Sequence, residues 1–257
     1  MRKTRSGIDA KGGQQLPDAI NELKRTDDIN KMLVAEGFNV AYTPLAYIDY
    51  GIKFTANSLL PKRQFTRDFT LIYELPWSSK LYEALAGATS LVASVMQIKG
   101  DTRLPEIYRL PAHSKDAAAE SAYLFGLAAG AQKRITDSRF YWSMGASHLG
   151  NYVIFLKGNQ IFLSMVDFEE AKSNQGLFAG VFRNRRNKKE TTKILKSLEL
   201  SSYSLVEGVN VHGYAAPEYF REAFVRGFRE GYGNPDKRKL MTLELLCEAY
   251  DLSALPN

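Results

Sequence analysis

The side chains able to do chemistry in this chain are few and dispersed. Three histidines stand at 113, 148 and 212 and one cysteine at 247, with no metal-ligand spacing among them, so neither a metal site nor an internal disulfide is expected. The segment Gly145-Ala146-Ser147-His148-Leu149-Gly150 sets a serine beside a histidine between glycines. A nucleophile elbow has its second glycine two residues after the serine, whereas here it comes three after. Neighbouring side chains on a strand also face opposite sides. Ser147 and His148 are therefore expected in a turn or core position. His212, in Val209-Asn210-Val211-His212-Gly213-Tyr214, falls where a strand is expected to end. A hydrolase or transferase reading would centre on a cleft holding His148 or His212 with Tyr214 and a carboxylate. His113, beside a helix start, reads as a surface group.

The acids add no catalytic pattern. Asp27-Asp28 and Glu169-Glu170 are adjacent, and adjacent side chains do not share a helical face. Neither a GxxxxGK(S/T) phosphate cradle nor a GxGxxG turn after a strand is present, so no nucleotide cofactor is expected.

Charge is the stronger signal. The chain has 257 residues, with 34 lysines and arginines against 28 aspartates and glutamates, a formal net charge of +6. Residues Val181 to Lys196 carry seven cations and one carboxylate, a surplus equal to that of the whole chain. A surplus held in sixteen positions argues for a local contact surface and against a uniformly positive coat. Within it Arg183, Arg185 and Arg186 offer planar forks to phosphate oxygens, Lys188, Lys189 and Lys193 add less directional charge, and Phe182 is placed to stack on a base. The expected partner is nucleic acid, bound without sequence preference, because no paired-cysteine finger, GXXG loop or aromatic RNP pair is present. The rival partner is an acidic protein surface met by a structural assembly subunit. Further cations at Arg2, Lys3, Arg5 and Lys11, and at Arg226, Arg229, Lys237, Arg238 and Lys239, would join one field if the fold brought them to the same face.

The elements that must position these groups follow from composition and periodicity. With 45% apolar and 12% aromatic residues the chain can bury a full core. Its longest nearly apolar run, Leu81 to Ile98, contains Glu83, Thr89, Ser90, Ser94 and Gln97 and is too polar to cross a membrane. A lone cysteine and a start lacking an apolar leader segment suggest a cytoplasmic location, or the inside of a virus particle or infected cell.

Residues 1–15 read as a flexible basic arm, and 16–257 as one α+β domain or two closely packed lobes, with interspersed helices and a mostly antiparallel sheet. Pro17 to Gly37 reads as one broken helix or two short ones, interrupted near Thr26-Asp27-Asp28. Phe65 to Tyr73 alternates like a strand. A helix follows Ser78 or Ser79, and its small-residue stripe suits self-association. Leu104 to Leu110 reads as extended and Ser114 to Ile135 as a helix. Two β-rich runs flanking Lys157-Gly158-Asn159-Gln160 read as a hairpin covered on both faces.

The first half of the basic stretch reads as a strand end or loop and its second half as a helix. Tyr203 to Val211 reads as a strand, and Pro217 starts a helix with Phe220, Phe224 and Phe228 inward. Asn234-Pro235-Asp236 reads as the start of a last helix with Leu240, Leu243, Leu246, Cys247 and Tyr250 facing the core. The pairs Gly126/Gly130 and Gly227/Gly231 share a four-residue spacing, although their flanks align only loosely as a repeat.

Overall fold

A computed structural model describes residues 16–49, 54–55, 64–65, 69–74, 102–142, 148–157, 159–168, 171–173, 179–199, 203–206, 209–211, 215–237 and 239–250. The basic arm, the helix after Ser79, Ser147, Arg238, His212 and Tyr214 lie outside these residues. In chain order the elements are α1 (Leu16–Ala35), β1 (Thr43–Asp49), β2 (Phe54–Thr55), β3 (Gln64–Phe65), β4 (Phe69–Glu74), β5 (Thr102–Arg103), α2 (Leu104–Ile107), α3 (Lys115–Arg139) and β6 (Phe140–Tyr141). A 3₁₀ turn, Leu149–Asn151, leads into β7 (Tyr152–Lys157), β8 (Gln160–Met165), β9 (Lys172–Ser173), α4 (Ala179–Lys196), β10 (Tyr203–Val206) and β11 (Val209–Val211). Last come α5 (Glu218–Gly233), β12 (Met241–Thr242) and α6 (Leu243–Ala249). Helices and antiparallel strands alternate along one compact α+β domain.

The β7–β8 hairpin forms as the sequence predicts, with Tyr152 opposite Met165 and Leu156 opposite Ile161. It is the centre of a four-stranded antiparallel sheet in the order β12-β8-β7-β5. Its period-two pattern divides two clusters. Tyr152, Ile154, Leu156, Ile161, Leu163 and Met165 enter the main core, while Val153, Phe155 and Phe162 pack with Val166, Ala41 and Tyr42 on the other face. That second face is covered by the chain after α1, where the Ala41 amide donates to Ser164 Oγ at 3.0 Å.

The long helix α3 starts at the Ser114 cap, whose hydroxyl accepts from the Ala117 amide, and is buried around most of its circumference. It meets β8 through Gln132, whose amide group donates to the Leu163 carbonyl and accepts from the Met165 amide. Helix α5 packs on its other side and sends Phe220, Phe224 and Phe228 into the core as predicted; with Tyr232 they form a row with rings 6.1 to 6.3 Å apart.

The glycine pairs explain how closely α3 and α5 approach. A Cβ at Gly126 would strike the backbone of Phe224 and Phe228, and one at Gly130 that of Phe228 and Tyr232. Conversely, Gly227 and Gly231 lie against the Tyr123 to Leu127 backbone. Contacts that advance together along both chains mean that the helices run parallel. A parallel pair in one chain requires a long crossover, and the hairpin and α4 lie within it.

Several expectations are corrected. Residues 16–35 form one continuous helix, because Asp27 pairs with Lys31 at 2.6 Å across one turn and Thr26 is accommodated in the interior. Residues 104–107 are helical, started by the Arg103 amide donating to the Glu106 carboxylate at 2.9 Å with Pro105 in the first turn. The basic stretch is helical from its beginning. The 203–211 segment folds as two paired strands.

Asn234-Pro235-Asp236 forms a turn in which Asn234 Oδ1 accepts from the Asp236 amide, and the last helix starts only after Met241 and Thr242 pair with β8. That delay rotates Leu240 (59% exposed) and Cys247 to solvent, so the thiol is not a core filler. Leu246 and Tyr250 are buried as expected.

Candidate nucleic-acid interface

Helix α4 and the turn after it have a buried row of Asn187, Glu190, Ile194 and Leu198 at helical spacing. Only the last two are apolar. The helix therefore docks its second half by packing and its middle by polar contacts. Asn187 Nδ2 donates to the Asp137 carbonyl at 3.1 Å, and the Arg186 guanidinium lies over the Tyr141 ring at 4.7 Å. These join α4 to the end of α3 and the β6–β9 ribbon.

The exposed surface of the helix is cationic. Arg183, Arg185, Arg186, Lys188 and Lys189 are all exposed, as is Lys196, and among the described residues no carboxylate lies within ion-pair distance of the first five. Lys193 is half-buried and engaged with a neighbour. Glu190, the one carboxylate in the stretch, is 2% exposed on the inner face. The surface charge of this segment is accordingly undiluted by its own acid.

Phe182 to Arg186 are exposed at five consecutive positions, more than one full helical turn, so the start of α4 extends past the body of the domain. That overhang explains the absence of apolar periodicity in the first half of the segment. Phe182 itself is 54% exposed.

Beneath α4 lies a buried polar floor. Lys133 Nζ donates to Asp137 Oδ1 with both side chains almost fully enclosed (1% and 4% exposed), and the Tyr232 hydroxyl donates to Asp137 Oδ2 at 2.9 Å. The Trp142 ring stands 5.4 Å from the ammonium. Burial raises the Asp137 carboxyl above its ordinary range, against the downward pull of Lys133 and Tyr232. The Tyr232 phenol is pushed up to about 12, by burial first and then by the Asp137 charge.

Tyr141 belongs to this region and escapes sequence reasoning, because it reaches α4 only through the fold. An aromatic pair at the end of a long helix is the only local trace it leaves. The cations on and just after α5 lie among acids. Arg226 lies over Tyr123, Lys237 pairs with Glu230 at 2.9 Å, and an open groove of about 670 Å³ beside them alternates Arg221, Arg226 and Arg229 with Glu199, Glu222 and Glu230.

The histidines form no centre in the described part. His148 is half-buried with its ring against Gly150, where a Cβ would come within 2.9 Å of it, and His113 is exposed. The open groove and a second cleft of about 210 Å³ between α1 and the end of β8 both lack a histidine. Among the described residues no three His, Cys, Asp or Glu side chains converge, and no helix is long and apolar enough to cross a membrane.

No protein-family model matches this chain, and a search of curated proteins finds no relative.

Proposed function

We propose that the chain binds the phosphate backbone of nucleic acid through α4, without sequence preference, as a non-enzymatic component of an intracellular or viral assembly. The observation that carries this reading is a set of five exposed cations, without carboxylate partners among the described residues, on a helix whose single acid is buried. Exposed charges not neutralised by a carboxylate are available to an external polyanion, and each phosphate they neutralise releases counterions. Arg183, Arg185 and Arg186 are suited to forked contacts with phosphate oxygens, and Lys188 and Lys189 to less directional attraction. The turn at 182–186, exposed at every position, lets a strand approach from more than one side.

Replacing Arg183, Arg185, Arg186, Lys188 and Lys189 together by glutamine tests this directly. None of the five is buried, so the fold should be retained, with a small fall in melting temperature from losing the Arg186 contact with Tyr141. Affinity for a fluorescent oligonucleotide at 50 mM salt should fall by about 100-fold or more. Unchanged affinity in this variant, or no binding by the wild type at low salt, refutes the reading.

A further inference from the structure

The start of α4 narrows the ligand beyond a phosphate backbone. Resting on the reading of α4 as a polyanion surface, we propose that it selects single-stranded nucleic acid by stacking an unpaired base on Phe182. Phe182, Arg186, Lys189 and Lys193 stand at i, i+4, i+7 and i+11, one row along the helix with axial steps of about 6, 4.5 and 6 Å. The ring thus lies in line with the cations and at their free end.

Among the residues whose burial is described, Phe182 is the one large exposed aromatic. Its following neighbours, Arg183 to Arg186, are all polar and exposed, so on that side the ring adjoins charge and not an apolar surface. An acidic peptide would satisfy the cations without a ring. An unpaired base supplies both a flat apolar face and an adjoining phosphate, whereas bases within a duplex have their faces covered by stacking. The Arg186 guanidinium, already seated on Tyr141 at 4.7 Å, is pre-set for a phosphate next to that base.

The experiment compares the full chain's affinity for three fluorescent probes of equal length: an oligothymidine strand, the same sugar-phosphate strand without bases, and a blunt duplex. The wild type should prefer oligothymidine to both others. Phe182→Ala should weaken oligothymidine binding by about five- to a hundred-fold and leave the baseless strand unchanged. Phe182→Trp should keep the affinity, with the added indole emission quenched on binding. Stacking is overturned if Phe182→Ala weakens both strands equally or neither, or if the duplex is preferred. In those cases the cationic surface stands, because the wild type still binds a strand. If the wild type binds none of the probes, the reading of α4 as a polyanion surface falls, and the stacking proposal falls with it.

Discussion

Gly130→Ala should lower the melting temperature by about 6 to 12 °C, the shift that corresponds to about 3 kcal/mol in a protein of this size. Helix propensity alone predicts the reverse, since alanine in a helix interior is favoured over glycine by about 1 kcal/mol. The sign is decided by what the methyl group would meet. At Gly130 it would fall on the Phe228 carbonyl and come within 2.8 Å of the Tyr232 nitrogen, both of them backbone atoms of α5. Backbone cannot step aside as a rotamer can, so α3 and α5 must separate along the whole row of Phe220, Phe224 and Phe228. Gly231, facing Leu127 from the other helix, should behave in the same way, and Gly130→Val with Gly231→Val should abolish cooperative unfolding. Thermal melts followed by near-ultraviolet circular dichroism measure this. An alanine variant as stable as the wild type would contradict the close approach of the two helices.

Breaking the Lys133 and Asp137 pair should cost about 3 to 5 kcal/mol for either Lys133→Met or Asp137→Leu alone, because each leaves a buried charge without its partner. Making both changes should cost less than either single change. Desolvating two ions is itself expensive, and an apolar pair of similar volume avoids it. The Tyr232 hydroxyl would still have lost its acceptor, so adding Tyr232→Phe should recover about 1 kcal/mol more. Urea unfolding of the single, double and triple variants gives these differences. Costs that simply add would show that the two groups do not act as a pair.

The same carboxyl predicts a pH effect. Its value in the fold is raised, so the native state holds that proton more tightly than the unfolded chain does. The Asp137 contribution is therefore fully present below the ordinary aspartate value and is lost as pH climbs through the raised one. Asp137→Asn, which cannot titrate, should lack this component when its stability is compared with the wild type across the acidic range.

What was legible in the sequence depended on whether a pattern answers to local or distant contacts. The β7–β8 hairpin and the phenylalanine face of α5 were legible because their periodicities reflect one continuous buried surface. The first half of α4 was not, because an overhanging helix has no inner face to leave an apolar trace. Asn234-Pro235-Asp236 has the residues of a helix start, yet the chain uses them as a turn so that Met241 can pair with Ile161. The glycine pairs were visible as a spacing, but their meaning required knowing that α3 and α5 run parallel. The basic residues of the candidate site could be named from charge alone. Burial of Glu190 and the seating of Arg186 on Tyr141 could not, since both depend on where α4 docks.

The most direct test of α4 as a phosphate-binding surface is the salt dependence of oligonucleotide affinity, measured for the wild type and for the variant with glutamine at 183, 185, 186, 188 and 189. Five phosphate contacts to a single strand predict a slope of log affinity against log salt of about −3.5, or about a hundred-fold loss between 50 and 200 mM, and a slope near zero for the variant. Equal slopes for the two proteins would contradict it.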